Sequence, residues 1–147
     1  MLLFISLGAQ AASIGYFYDG DTVKIEDNGQ VFKLRITDID APERNQSYGQ
    51  KSRRALMKLC QNTRISYQFI GTDKYQRRLG KLQCNQKDAS LHMVQNGHAW
   101  FANRYSADHT LLLAQQQAQQ AKLGLWQLEN PMPPWKWRKN NRQAHTK

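Results

Sequence analysis

Two hydrophobic rhythms divide the chain. In its first third, apolar and polar residues alternate. Residues 14–18 form a short aromatic strand candidate, and residues 22–26 alternate with period two. Residues 31–36 place Phe32, Leu34 and Ile36 on one face and Val31, Lys33 and Arg35 on the other. Asp19-Gly20 and Asp27-Asn28-Gly29 supply turn chemistry between these runs. The pattern therefore predicts antiparallel hairpins in a meander or barrel, not a βαβ unit. At Ala41-Pro42 the alternation stops, because proline biases Ala41 away from helical angles, and a fixed loop is expected. The spacing then changes to threes and fours. Tyr48, Ala55, Leu56 and Leu59 predict a helix over 47–61, with Lys51, Arg53, Arg54 and Lys58 on its other faces. Strands over 63–70 and 78–84 flank a polar loop at 71–77, and 85–87 reads as a turn. A second helix is predicted over 89–96 with Gly97 as its stop, and a third over 107–122 between Asp108 and Gly124. The stretch 131–140 is proline-broken and basic. It reads as a strap whose Trp135 and Trp137 pack on the domain, while its basic side chains give general attraction to a nucleic acid.

With 147 residues, 40% of them hydrophobic, the chain suits one domain with one core. It has no internal repeat. A formal net charge of +10 points to a polyanionic partner, nucleic acid before an anionic membrane surface. No apolar run approaches the roughly 20 residues of a membrane span, and no amphipathic cationic helix supports surface binding. The charge is unevenly spread. Asp19, Asp21, Glu26, Asp27, Asp38, Asp40 and Glu43 lie in the first third, and only Asp73, Asp88, Asp108 and Glu129 follow. An acidic island in a basic chain makes sense if it holds a cation, and a hard cation takes oxygen ligands. That combination points to metal-assisted chemistry on phosphate.

Residues 1–7 are apolar, and Ala9-Gln10-Ala11 fits the small-x-small pattern of a signal-peptidase site. Residues 1–12 thus read as the end of a secretion signal, with a poorly ordered tail or a first strand as the alternative. The expected organisation is signal segment 1–12, folded domain 13–128 and basic tail 129–147, in a secreted or periplasmic protein. Cys60 and Cys84 are the only cysteines and lack a metal-type spacing. In an oxidising compartment they would form one disulfide contributing about 3 kcal/mol, the alternative being two buried free thiols. His92, His98, His109 and His145 have no zinc spacing, and His92 and His98 read as surface residues. A Gly-rich phosphate loop is absent.

Asp19-Gly20-Asp21-Thr22-Val23, then Arg35, then Asp40-Ala41-Pro42-Glu43, then Asp73-Lys74-Tyr75-Gln76-Arg77 resemble, in this order, the motifs of the staphylococcal nuclease family. The match runs from about Tyr16 to Trp126, and the closing Pro-Pro-Trp-Lys-Trp-Arg resembles the tail of exported Gram-negative members. The resemblance implies an α+β fold: a five-stranded OB-fold β-barrel with three helices. It implies a nuclease that uses one Ca²⁺ to cleave DNA and RNA, single-stranded or locally opened, to 3′-phosphate and 5′-hydroxyl ends. Asp21, Asp40 and the Ala41 carbonyl match its metal ligands, with alanine where the family usually has threonine. Glu43 matches the general base, and Arg35 and Arg77 match the phosphate-binding arginines. Gln76 stands where the motif has glycine, and Arg78 follows directly, so a slip of one residue would exchange the two arginines. Lys74, Tyr75 and Tyr105 fall at nucleotide-contacting positions, with core packing the alternative for each ring. A monomer is expected. The rival reading is a non-catalytic nucleic-acid-binding OB module.

Overall fold

The computed structural model describes residues 11–144, so most of the expected signal segment, and His145, lie outside the described residues. Strands β1 (Ser13–Phe17), β2 (Thr22–Asp27) and β3 (Gln30–Ile36) form an antiparallel meander. Asn28 and Gly29 close the β2–β3 hairpin with φ values of 47° and 78°, the left-handed pair that a tight two-residue turn requires. Alternation decides the faces of β3: Leu34 and Ile36 are fully buried, whereas Val31 and Lys33 are exposed. The chain continues through β4 (Ile39–Asp40), α1 (Gly49–Cys60), β5 (Ile65–Thr72), β6 (Arg78–Cys84) and β7 (Lys87–Asp88). Then come α2 (Ala89–Gln95), β8 (Trp100–Phe101), α3 (His109–Gln120), a one-turn 3-10 helix (Gly124–Gln127) and α4 (Pro134–Ala144).

The main sheet runs β1-β2-β3-β6-β5, with β7 added on β6. The β3–β6 pairing is parallel and sets Leu34 beside Arg78, Arg35 beside Leu79 and Ile36 beside Gly80. Separately, β4 pairs with β8, with Asp40 opposite Trp100. Two-residue strands such as these are too short to carry a periodic signal. Val23, Ile25, Leu34 and Ile36 from the sheet meet Leu56 of α1, Met93 and Val94 of α2 and Leu111 of α3 in one core. Asp88 caps α2 and Asp108 caps α3 by accepting first-turn N–H groups. Cys60 and Cys84 form the disulfide, tying the last residue of α1 to the last of β6. No helix among the described residues is long and apolar enough to cross a membrane.

Two expectations need correction. The sheet is not a closed five-strand barrel. Between β1 and the approach to β5 lies a cleft of about 320 Å³, walled on one side by Arg53, Met57 and Cys60 of α1. The Arg53 Nε donates to the Phe17 carbonyl at 2.7 Å, so the free edge of β1 is met by α1 and not by another strand. The helices number four among the described residues, not three, because the proline-broken strap is largely helical. Pro131 and Pro133 precede α4, and Pro134 is its first residue, where a missing N–H costs nothing. The N–H groups of Lys136 and Trp137 both donate to the Pro133 carbonyl.

Candidate active site

The turn at 19–21 is pressed against α1: a Cβ on Gly20 would stand 1.9 Å from the Ser52 Oγ, so only glycine fits. Asp19 Oδ1 accepts the N–H of Asp21 at 2.9 Å. The Asp21 side chain is buried and fully engaged. Its Oδ1 accepts the Thr22 hydroxyl at 2.9 Å, and its Oδ2 accepts the Ala41 N–H at 2.6 Å. That last bond joins the start of β2 to the loop after β4. In the β2–β3 register Arg35 stands opposite Thr22, next to Asp21. The Arg35 guanidinium lies 3.2 Å from Asp21 Oδ1 and 3.4 Å from Asp40 Oδ1, and also donates to the Ile36 carbonyl. A single planar cation thus sits between two buried carboxylates. Negative charge remains crowded here: burial, then the charge of Asp21, push the Asp19 carboxyl up to about 8.

Glu43 follows Pro42 in a tight loop. Gln46 Oε1 accepts the Glu43 N–H at 3.1 Å, and the Gln46 N–H returns to the Glu43 carbonyl at 2.8 Å. Gly49 lets this loop close, since a Cβ there would fall 1.8 Å from the Glu43 carbonyl oxygen. The Glu43 carboxylate meets Arg138, 95 residues away, at 2.7 Å. Arg138 also grips Asp40, with Nη1 at 3.1 Å from Oδ1 and Nη2 at 2.7 Å from Oδ2. The bonds to Asp40, and then to Glu43, push the Arg138 guanidinium above its already high range against the cost of burial. The four residues Asp21, Arg35, Asp40 and Glu43 are therefore joined, through Arg138, into one network.

The β5–β6 loop carries Lys74, Tyr75 and Arg77. Gln76 adopts φ 62°, so the left-handed position keeps its shape without glycine. Arg77 is bound to Asp73, not to the cluster, with Nε and Nη2 each 2.8 Å from Asp73 Oδ2. Burial alone would raise the Asp73 carboxyl. Hydrogen bonds from the backbone and side chain of Arg77 and from the Tyr75 N–H, with the Arg77 charge, hold it below the usual range. Arg78 stacks 4.0 Å over the Phe32 ring, beside Tyr67, whose hydroxyl donates to Asp27. Its backbone pairs with Leu34, and Leu79 pairs with Arg35, so Arg77 at the end of the loop lies two positions from the Arg35 register. Tyr75 is exposed, with Lys74 Nζ 5.1 Å from its ring centre. Tyr105 is 89% exposed and shares a small cleft with Asp40, Arg104, Trp135 and Arg138. Neither ring is a core residue.

Sequence spacing missed Arg138 and Gln46, whereas Trp135 packs on the domain, against Trp100, as the strap reading expects. It also misplaced His98, which is half-buried with its Nδ1 3.0 Å from the Tyr48 hydroxyl. A helical reading of 134–144 would have put Trp135 and Arg138 on one face, the only available signal.

Among the described residues no three His, Cys, Asp or Glu side chains form a metal cage. The Asp21 and Asp40 carboxylates, held together by Arg35, are the oxygen groups of the cluster, and oxygen is what a hard divalent ion takes.

Residues 33–128 match the model of the family described as staphylococcal nuclease homologue. An uncharacterized endonuclease of Haemophilus influenzae (strain KW20/Rd) is 38% identical over 125 residues, covering 84% of this chain and 70% of that protein. An uncharacterized endonuclease of Escherichia coli O157:H7 is 35% identical over 121 residues, covering 82% and 79%. A staphylococcal-like nuclease of Arabidopsis thaliana is 33% identical over 111 residues, 76% of this chain but only 34% of that longer protein.

Proposed function

The chain belongs to the staphylococcal nuclease family, a family of nuclease hydrolases, and from that premise we propose that it is a calcium-dependent, sugar-nonspecific endonuclease. It hydrolyses phosphodiester bonds of DNA and RNA and leaves 3′-phosphate and 5′-hydroxyl ends. The observation that carries this reading is the placement of Arg35 between the buried carboxylates of Asp21 and Asp40, with Glu43 on the same network. The strand path is read as an opened OB-type barrel, with α1 between its edges. The disulfide favours an oxidising compartment, in keeping with a secreted or periplasmic monomer.

Asp21, Asp40 and the Ala41 carbonyl would hold the ion, which when bound supplies Lewis acidity toward a phosphate oxygen. Glu43 takes the proton of the attacking water, its carboxylate oriented by Arg138 and its backbone by Gln46. Arg35 presents a planar donor set where charge accumulates on the phosphorane oxygens. Arg77, held by Asp73 at the end of the β5–β6 loop, would supply the second guanidinium to the phosphate. Lys74, Tyr75 and Tyr105 offer charge and exposed rings to the flanking nucleotides, which suits weak sequence preference.

Digestion of plasmid DNA and of RNA with Ca²⁺, and with chelator, tests this. Cleavage should require the ion. Arg35→Lys should lower kcat by roughly 10²- to 10³-fold while affinity for DNA changes far less, and Glu43→Ser should also slow cleavage. Binding without cleavage under Ca²⁺, Mg²⁺ or Mn²⁺ would establish the non-catalytic module instead.

A further inference from the structure

The C-terminal helix does more than lend positive charge. Its first turn and the residues just before it are fastened at three points around the site. Pro134 is fully buried, Trp135 packs edge-on at 5.5 Å against Trp100, and Gln46 donates to the Met132 carbonyl at 2.7 Å. Trp100 itself is wedged against Trp126 at 4.4 Å. Its strand partner is Asp40. Trp135 and Arg138 are three residues apart on α4 and so share a face. Seating Trp135 on Trp100 therefore carries Arg138 onto Asp40.

We infer that Arg138 is a positioning residue of the site: one guanidinium delivered by α4 that spans Asp40 and Glu43 and fixes the two carboxylates relative to each other. This deepens the nuclease reading and rests on it. Asp40, at the end of β4, and Glu43, in the loop that follows, are like charges three residues apart. A planar cation with two aligned donor pairs cancels their repulsion and fixes both orientations together. Arg138 does so with three hydrogen bonds, one to Glu43 and two to Asp40. Among the described residues, Arg138 is the only hydrogen-bonding or ion-pair partner recorded for the Glu43 carboxylate. Lysine, a point charge on a flexible stem, can serve one carboxylate well but not both.

The test compares Arg138→Gln, Arg138→Lys and the exposed α1 control Lys58→Gln with the wild type. kcat and KM are measured on DNA with Ca²⁺, and melting temperature alongside. Arg138→Gln should lower kcat roughly 10- to 100-fold, as loss of groups that orient ligands does, with KM and melting temperature little changed. Arg138→Lys should recover part of the loss, and Lys58→Gln should match the wild type. Arg138→Gln cleaving as fast as wild type, or faster or at lower Ca²⁺, overturns the proposal, since the arginine would then be a bystander or a competitor of the ion. A loss tracking a lowered melting temperature, without recovery by lysine, also overturns it. Absence of cleavage by the wild type with every divalent ion brings down the nuclease reading and this proposal together, an outcome distinguishable because it does not depend on Arg138.

Discussion

Single residues decide how the loops around the site are held. Tyr48 takes a left-handed φ of 70° immediately before α1, an unfavourable conformation for an aromatic residue. Its ring stacks on His98, and its hydroxyl reaches His98 Nδ1. Burial first, then the nearby His92, push the His98 imidazole down to about 4, and burial raises the Tyr48 hydroxyl. The ring and the hydroxyl share one hydrogen bond whose donor follows the imidazole tautomer, and burial is what makes charging the ring unfavourable. The folded value lies below the unfolded one near 6.5, so the unfolded chain binds more protons between them. The stabilisation from neutral His98 is complete above about pH 6.5 and is lost as pH falls toward 4, a loss that solvent screening of the half-exposed ring holds below the roughly 3 kcal/mol of the full shift. Urea melts between pH 7 and 4 should show that loss in the wild type and a shallower decline in His98→Gln. Parallel slopes would assign the pH dependence elsewhere. His98 read as a surface residue because its sequence neighbours say nothing about Tyr48, fifty positions earlier.

Among the elements, α1 has the most varied duties. It borders the β1 edge through Arg53, receives the Gly20 turn at Ser52, and ends in Cys60. The disulfide with Cys84 ties that end to β6 across 24 positions. Both cysteines are buried, so reductant reaches them only on opening. A Cys60→Ala/Cys84→Ala protein should lose about 3 kcal/mol, a fall in melting temperature on the order of 10 °C. An unchanged melting temperature would mean that the crosslink constrains little of the unfolded chain. The chain pattern foresaw α1, α2, α3 and the β2–β3 hairpin to within about two residues at most ends, because caps and alternation are local. It missed α4 because prolines were read as breakers. Their position ahead of the first turn, not their number, sets their effect.

For the whole molecule, the arrangement of charge is the governing feature. Acidic side chains are gathered near the starts of β2 and α1 and tied to Arg35 and Arg138, while the chain as a whole carries a net +10. A polyanion is drawn to the molecule, and its phosphate can meet arginines that already face carboxylates. Affinity for DNA should therefore fall steeply with salt, each neutralised phosphate adding roughly −0.9 to the slope of log K against log salt, for a slope of about −3 or steeper. Fluorescence anisotropy with the Glu43→Ser protein, without added metal, measures it. A slope near zero would show that long-range charge does not drive binding.

The amino-acid order alone determined the strand meander, the helix caps, the single cysteine pairing available and the residue types that mark the Asp21, Arg35, Asp40 and Glu43 motifs. Alternation, turn chemistry and capping act over a few residues, so they are written locally. Tertiary packing alone decided that the sheet stays open beside α1, that Arg77 rests on Asp73, and that Arg138 closes over Asp40 and Glu43. Those outcomes depend on which surfaces meet after long stretches of chain have folded back, and the seating of one tryptophan on another has no counterpart in linear spacing.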